Sequence, residues 1–396
     1  MTQKRRILFI IHTPTFGGPH NQALRLHRAL LERGWEQIVL TTNEQGNGAE
    51  RLSVAGIQVI KMPLHRMRAT LDPRIQFAFF KGLVPEIASI RRIIRELNVD
   101  IVQVAGVQNI HGALAAKQEK VPIVWQLLST YAPPLVRRIL SPMVARLADV
   151  IMVTGKGTLL GHPGLEKLRD RVVIFFPPVD TREFRPDQSR RLSARAEMGV
   201  PPDALLVGTV GNFNRQKRHD ILVKAAFRCI QQFPDLYVRI LGAPTLSHLK
   251  YYERNVKALA DKLGLLKDGR LKFMSPGARV AHFLPAFDVF VLTSMAEGIP
   301  TVVLEAMACG LPVVASNVGS VAEVIRDGKT GFVVPQFRPD AVAEAVNHLL
   351  MSPELRLEMG KEARNVAEQL YDIERCADIH ARAYELALKN FRKRGQ

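Results

Sequence analysis

At 396 residues the chain is too long for a single ordinary domain, and its 47% apolar content excludes a disordered or fibrous protein, so two globular domains are expected. Lys and Arg outnumber Asp and Glu by 55 to 37, a net charge of +18 that favours polyanionic partners such as phosphate-bearing substrates or an anionic membrane surface. With 7% aromatic residues, dispersed charge and no recognised nucleic-acid motif, nucleic acid is set aside as a partner.

The first apolar run, Ile7–Ile11, stops at His12 without a small-residue cleavage site, so it reads as a first strand and not as a secretion signal. No run of about 18 uncharged apolar residues occurs anywhere. Cys229, Cys309 and Cys376 are scattered without disulfide or metal spacing, which fits a reducing compartment. The expected location is therefore cytoplasmic, peripheral on the cytoplasmic membrane face if the basic surface meets lipid.

In chain order the strands read RRILFII, QIVLTT, IQVIKM, DIVQV, VPIVWQLL, DVIMVT and RVVIFF, each pair separated by loop or helix-like sequence. Two basic amphipathic stretches lie among them, PRIQFAFFKGLVPEIASIRRIIREL and YAPPLVRRILSPMVARL. In the first, helical spacing gathers Ile90, Ile93, Ile94 and Leu97 on one side and Arg91, Arg92 and Arg95 on another. Such a pattern serves an ordinary core-facing helix with a solvated face, or one that docks on anionic lipid.

The proline-rich, charged stretch FFPPVDTREFRPDQS interrupts this pattern near residue 180, and the alternation resumes with LLVGTVG, LYVRILG, RLKFM, DVFVLTS, PVVAS and GFVVP. Short β-branched runs alternating with helices imply parallel sheets covered on both faces. The domains expected are 1–180, 181–371 and a terminal helix, 372–396, that is expected to return to the N-terminal domain. Ligands of such sheets bind beyond the carboxyl ends of the strands.

The chemistry-bearing segment is AEGIPTVVLEAMACGLPVVAS. Pro300 before a helix and Gly310 at its end set the limits of TVVLEAMACG, which places Glu297 in the loop after a strand and Glu305 one turn into an apolar helix. A buried, unpaired carboxylate costs several kcal/mol, so Glu305 must accept hydrogen bonds, from an internal arginine, a backbone loop or a ligand's hydroxyls. Thr301 and Val302 open the helix with free N–H groups, a seat for phosphate, and Gly298 permits close approach of a ligand to the backbone.

The E-x7-E spacing followed by GLPVVASNVGSVAEVIRDGKTGFVVP resembles the retaining glycosyltransferases of GT-B fold, the family 4 group of nucleotide-sugar enzymes. Weaker likeness extends through Gly17 and Gly18, the hinge and VGTVGNFNRQKRHDILVKA. The resemblance implies a GT-B fold: two Rossmann-like domains whose parallel sheets face an interdomain cleft, with the acceptor bound by the first and a UDP- or GDP-sugar by the second. It gives Glu297 the transferred sugar near its anomeric carbon and Glu305 the ribose diol. Gly17, Gly18 and the amides of Gly298, Ile299, Thr301 and Val302 would contact the donor, while Lys217 and Arg215 would neutralise the leaving diphosphate.

Family members commonly carry an arginine where Asn212 stands, a histidine where Leu128 stands and Asn-Gly where Pro177 and Pro178 stand. His111 is a further candidate contact to acceptor or sugar. The implied reaction is retaining transfer of a hexose-type sugar to a glycan or lipid-linked acceptor, without metal or cofactor, since the nucleotide-sugar is itself a substrate. The absent histidine keeps open an inactive nucleotide-sugar-binding or scaffold protein.

Overall fold

A computed structural model describes residues 4–65, 73–244 and 248–394. The chain divides into two compact units: Met1–Pro178 with Ile373–Gln396, and Val179–Asp372.

Unit 1 is built on a seven-stranded parallel sheet of β1 (Arg5–Ile11), β2 (Trp35–Thr42), β3 (Gln58–Met62), β4 (Ile101–Ala105), β5 (Ile123–Leu127), β6 (Val150–Val153) and β7 (Val172–Ile174). The spatial order is β3-β2-β1-β4-β5-β6-β7, so the direction of winding reverses between β1 and β4. Helices α1 (Gly18–Glu32), α2 (Gly48–Val54), α3 (Pro73–Glu96), α4 (Ile110–Gln118), α5 (Pro134–Leu147) and α6 (Lys156–Leu160) connect or follow these strands.

The central strands β1, β2, β4, β5 and β6 are buried on both faces, which explains why they lack polar alternation, whereas the edge strand β3 exposes Gln58 and Lys61. Leu8 and Ile10 of β1 point into a core made with α3, α4 and α5, through Ile87, Ile90, Ile94, Ala113, Ala116 and Val144. Ile7, Phe9 and Ile11 point the other way, toward cores that contain α1, α2 and the terminal helix Ile373–Arg394.

That terminal helix belongs to unit 1. Its inner face of Cys376, Ala377, Ala383, Tyr384 and Ala387 is buried against the sheet. Tyr384 donates its hydroxyl to Gln103 Oε1 at 2.6 Å, and the fully buried His380 Nε2 lies 2.9 Å from Gln22 Nε2. At its outer edge Arg33 pairs with Glu374 and Asp378. Truncating Tyr384 to alanine would cost about 3–5 kcal/mol in lost burial and cavity formation together.

Unit 2 repeats the plan with β8 (Leu206–Val210), β9 (Tyr237–Leu241), β10 (Leu271–Met274), β11 (Val289–Leu292), β12 (Val313–Ser316) and β13 (Gly331–Val334) in the order β10-β9-β8-β11-β12-β13. All are parallel and the winding reverses between β8 and β11. Arg195, on α7 (Gln188–Glu197), is only 1% exposed and donates to Asp288 at the start of β11 and to the carbonyls of Pro202, Ala204 and Ala286. Asp288 in turn accepts from the Leu206 amide at 2.7 Å, fixing β11 against β8. A buried guanidinium is tolerated here because its donors are met. The strands coincide with the segments read from the sequence to within two residues at each end.

Candidate active site

The reversal between β8 and β11 brings two loops together at their carboxyl ends: residues 211–218, which lead into α8 (His219–Gln232), and residues 293–300, which lead into the helix Thr301–Ala308. Ligands of open α/β sheets bind at this kind of junction.

Four hydrogen bonds tie the loops to each other. Thr293 Oγ1 donates to the carbonyl oxygens of Lys217 and Arg218 at 3.1 and 3.0 Å. The Met295 amide donates to Gln216 O at 2.8 Å, and Gln216 Nε2 returns a bond to Ala296 O at 2.6 Å. The clamp places Lys217 Nζ 2.7 Å from Glu297 Oε1, in an ion pair whose side chains are 18% and 9% exposed.

From the other side, Ser320 N donates to Gly298 O at 3.1 Å. Gly319 makes that approach possible: its φ is +54°, and a Cβ there would stand 1.9 Å from Glu297 O. Only glycine fits such a position without moving the loop.

Pro300 is the N-cap of the helix Thr301–Ala308, and no side chain caps that end. The first amides, Thr301 and Val302, point out of the helix with its positive dipole end behind them. Gly298 and Ile299 are buried beside them, and Glu305 follows one turn on at 5% exposure. The helix ends at Cys309, with Gly310 at φ +74°. Near it, burial raises the thiol pKa of Cys309, as does the charge of Glu305.

The basic run divides into three fates. Lys217 pairs with Glu297. Arg218 forks onto Asp220 at 2.8 and 2.7 Å, and this raises its pKa while Tyr251 donates to the same carboxylate at 2.8 Å. Arg215 is exposed and makes no ion pair or side-chain hydrogen bond among the described residues. Asn212, likewise exposed, leaves this rim without the cation that a family arginine would add.

In unit 1 the corresponding reversal, between β1 and β4, holds the other candidates. Gly17 is the extended N-cap of α1 and Gly18 its first residue; beyond its chain neighbours and its own helix backbone, nothing lies within 4 Å of where a Cβ on Gly18 would stand. The loop before them is pinned by Gly48 N to Pro14 O at 2.9 Å and by Phe16 N to Asn47 Oδ1 at 2.9 Å.

His111 is fully buried near the start of α4, edge-on to His12 and Phe79 at 5.5 and 5.3 Å. Its Nε2 lies 3.3 Å from Glu86 Oε2 without hydrogen-bond geometry. Burial, helped by His65, lowers its pKa to about 4, so at neutral pH the ring is uncharged. Glu86, which sequence reading did not single out, accepts from the His65 amide and bonds to the His65 ring. Leu128 is half-buried and its carbonyl accepts from Thr154 Oγ1 at 3.1 Å.

Among the described residues no group of three or more His, Cys, Asp or Glu side chains is placed to hold a metal ion, and no helix is long and apolar enough to cross a membrane.

Comparison with known proteins gives two family matches: "Glycosyl transferase 4-like domain" over residues 17–159 and "Glycosyl transferases group 1" over residues 191–366. The D-inositol 3-phosphate glycosyltransferase of Corynebacterium urealyticum is 30% identical over 255 residues, 61% of this chain and 60% of that protein. That of Streptomyces bingchenggensis is 30% identical over 302 residues, 71% of this chain and 65% of that protein. The chain thus spans less than two thirds of the length of these relatives.

Among solved structures, Anabaena Alr3699/HepE in complex with UDP aligns with a TM-score of 0.79 at 20% identity, covering 95% of this chain and 98% of that one. A glycosyltransferase from Rickettsia africae aligns with a TM-score of 0.80 at 18% identity, covering 98% and 99%. The two family matches span both units, and the structural neighbours share the pair of parallel sheets; this chain belongs to the family 4, group 1 glycosyltransferases and has their GT-B fold.

Proposed function

We propose that the chain is a retaining glycosyltransferase that moves a hexose-type sugar from a UDP- or GDP-sugar to a glycan or lipid-linked acceptor, without a metal ion. The observation that carries this reading is the Lys217–Glu297 pair, clamped beside the uncapped end of the helix Thr301–Ala308 at the reversal point of unit 2. The complex of the Anabaena neighbour with UDP-glucose supports a uridine donor.

In this reading the diphosphate rests on the amides of Thr301 and Val302, and Glu305 accepts from the ribose hydroxyls. An ammonium has three donors; one of those on Lys217 goes to Glu297 and two remain for diphosphate oxygens. Arg215, unpartnered at the rim, adds charge. As the C1–O bond to the diphosphate breaks, negative charge grows on the leaving group and positive charge on the sugar ring. Fixed cations and amide dipoles stabilise the first and the Glu297 carboxylate the second.

Glu297 is held by Lys217, which makes it a poor nucleophile and favours attack from the face that the diphosphate leaves. The acceptor hydroxyl then forms the new bond to C1 and its proton passes to the departing diphosphate oxygen. The four cations and dipoles gathered here take the role that a metal would otherwise fill.

Hydrolysis of UDP- and GDP-sugars, followed as release of the nucleoside diphosphate with an acceptor panel that includes D-inositol 3-phosphate, tests this. Turnover with at least one donor, reduced on the order of 10²-fold or more in Glu305→Ala, is expected. An equal rate in the variant with every donor would overturn the reading; donor binding without turnover would leave only a nucleotide-sugar-binding protein.

A further inference from the structure

We propose that unit 1 docks on an anionic phospholipid bilayer through the first halves of α3 and α5 together with α6. This goes beyond the reaction proposed above and its test needs no turnover.

Helix α3 already spends one apolar face on the core, where Phe79, Ile87, Ile90 and Ile94 are buried. A helix at the surface of a soluble domain needs only one such face. Yet α3 shows a second: Phe77, Phe80 and Val84, at i, i+3 and i+7, are 69%, 66% and 75% exposed. Past Val84 the exposed positions are the small Pro85 and Ala88 and then the polar Arg92, Arg95 and Glu96, with no further large apolar side chain. The surplus is therefore confined to the half of the helix that starts at the carboxyl edge of the sheet.

Helix α5 repeats the arrangement. Leu135 and Ile139, one turn apart, are 68% and 63% exposed, and Tyr131 just before the helix is 61% exposed. Its second half exposes Pro142 and Arg146. Leu160, at the end of α6, is 69% exposed, and Arg137 of α5 donates to the carbonyl of the next residue, Gly161, so the two helices form one surface. Between α3 and α5 in the same layer lies α4, buried over most of its length. Of the fourteen exposed large hydrophobic residues among the described residues, six belong to these three helices and a seventh, Tyr131, immediately precedes α5.

Charge selects the occupant. Lys81 lies between Phe80 and Val84 in sequence, Arg138 between Leu135 and Ile139, and both are exposed. From Pro73 to Arg95 and from Tyr131 to Leu160 the only carboxylates are Glu86 and Asp149, 4% and 2% exposed. Apolar side chains interleaved with cations, with no exposed acid among the described residues in the first halves of α3 and α5 or in α6, match the headgroup and acyl boundary of an anionic leaflet.

The test is flotation of the full chain with vesicles of phosphatidylcholine alone and with about 30% phosphatidylglycerol, at about 150 mM salt. Binding to the anionic vesicles is expected, with affinity reduced at least about ten-fold in F77S/F80S and in K81E/R138E, while L357S, which removes an exposed leucine of unit 2, binds like the parent. Unfolding midpoints within about 2 °C of the parent would show that the variants are folded. No binding to anionic vesicles, equal binding to neutral ones, or full binding by both double variants would overturn the proposal. A parent dimer that F77S/F80S dissolves, without vesicle binding, would overturn it in favour of a second copy.

Discussion

The two units share one architecture and use its most exposed feature differently. Each is a parallel sheet whose winding reverses between two adjacent strands, β1 and β4 in unit 1 and β8 and β11 in unit 2. In unit 2 the loops at that reversal hold each other by an ion pair and backbone hydrogen bonds, and present cations beside an uncapped helix end. In unit 1 the same place is filled by the buried rings of His12, His20 and His111, the last two uncharged at neutral pH because burial lowers them to about 4, while the exposed rim outside it is apolar and basic. The comparison teaches that a reversal point supplies a position and nothing more; the side chains decide whether it gathers charge or excludes it.

The largest effect that would break this contrast is on Lys217. Replacing it with alanine removes the partner of Glu297 and a donor to the diphosphate, so turnover should fall on the order of 10²–10³-fold in steady-state assays with the best donor. A loss under about three-fold would mean that the pair is structural. Next is Gly319: alanine there meets Glu297 O and a left-handed backbone, and should cost about 2–4 kcal/mol in denaturant unfolding with weakened donor binding.

Acid should separate the units. Burial lowers His20, His111 and His380 of unit 1 to about 4, and His219 of unit 2 also to about 4, with the charge of Lys217 helping there. Below the ordinary histidine pKa of about 6.5 the unfolded chain binds protons that the folded chain refuses, so stability is complete above pH 6.5 and is lost progressively as pH falls from there to about 4. For His380 alone the loss at pH 5 is about 2 kcal/mol. Hydrogen exchange at pH 7.5 and 5 should show unit 1, with three such rings, opening before unit 2; the reverse order would count against the assignment.

The smallest effect is expected at Arg215. Being exposed and unpartnered, it can be changed to alanine without altering the unfolding midpoint, and turnover should fall by about ten-fold or less.

How much of this was legible in the sequence follows from range. Every strand could be read because parallel strands buried on both faces are continuous β-branched runs, visible within one short window. Glu297, Glu305 and the start of the helix at Thr301 were legible for the same reason: proline and glycine punctuate a single segment. The bond between Lys217 and Glu297 was not, because the residues are 80 positions apart and meet only once β8 pairs with β11. Glu86 was hidden likewise, 21 residues from His65 and 25 from His111. Gly319 sits inside the quoted motif, but its duty depends on a carbonyl from another loop. For α3, periodicity identified the apolar side around Ile90 and Ile94, yet which of its apolar residues remain outside is decided by where the core ends.

The central claim is that a pyrophosphate sits on the amides of residues 301–302 with Lys217 reaching it and Glu305 gripping the ribose. A crystal structure of the chain grown with UDP tests it most directly. The account predicts phosphate oxygens within hydrogen-bond distance of the Thr301 and Val302 amides and of Lys217 Nζ, and both ribose hydroxyls on Glu305. Nucleotide bound elsewhere, with Glu305 turned to a protein partner instead of the ribose, would contradict it.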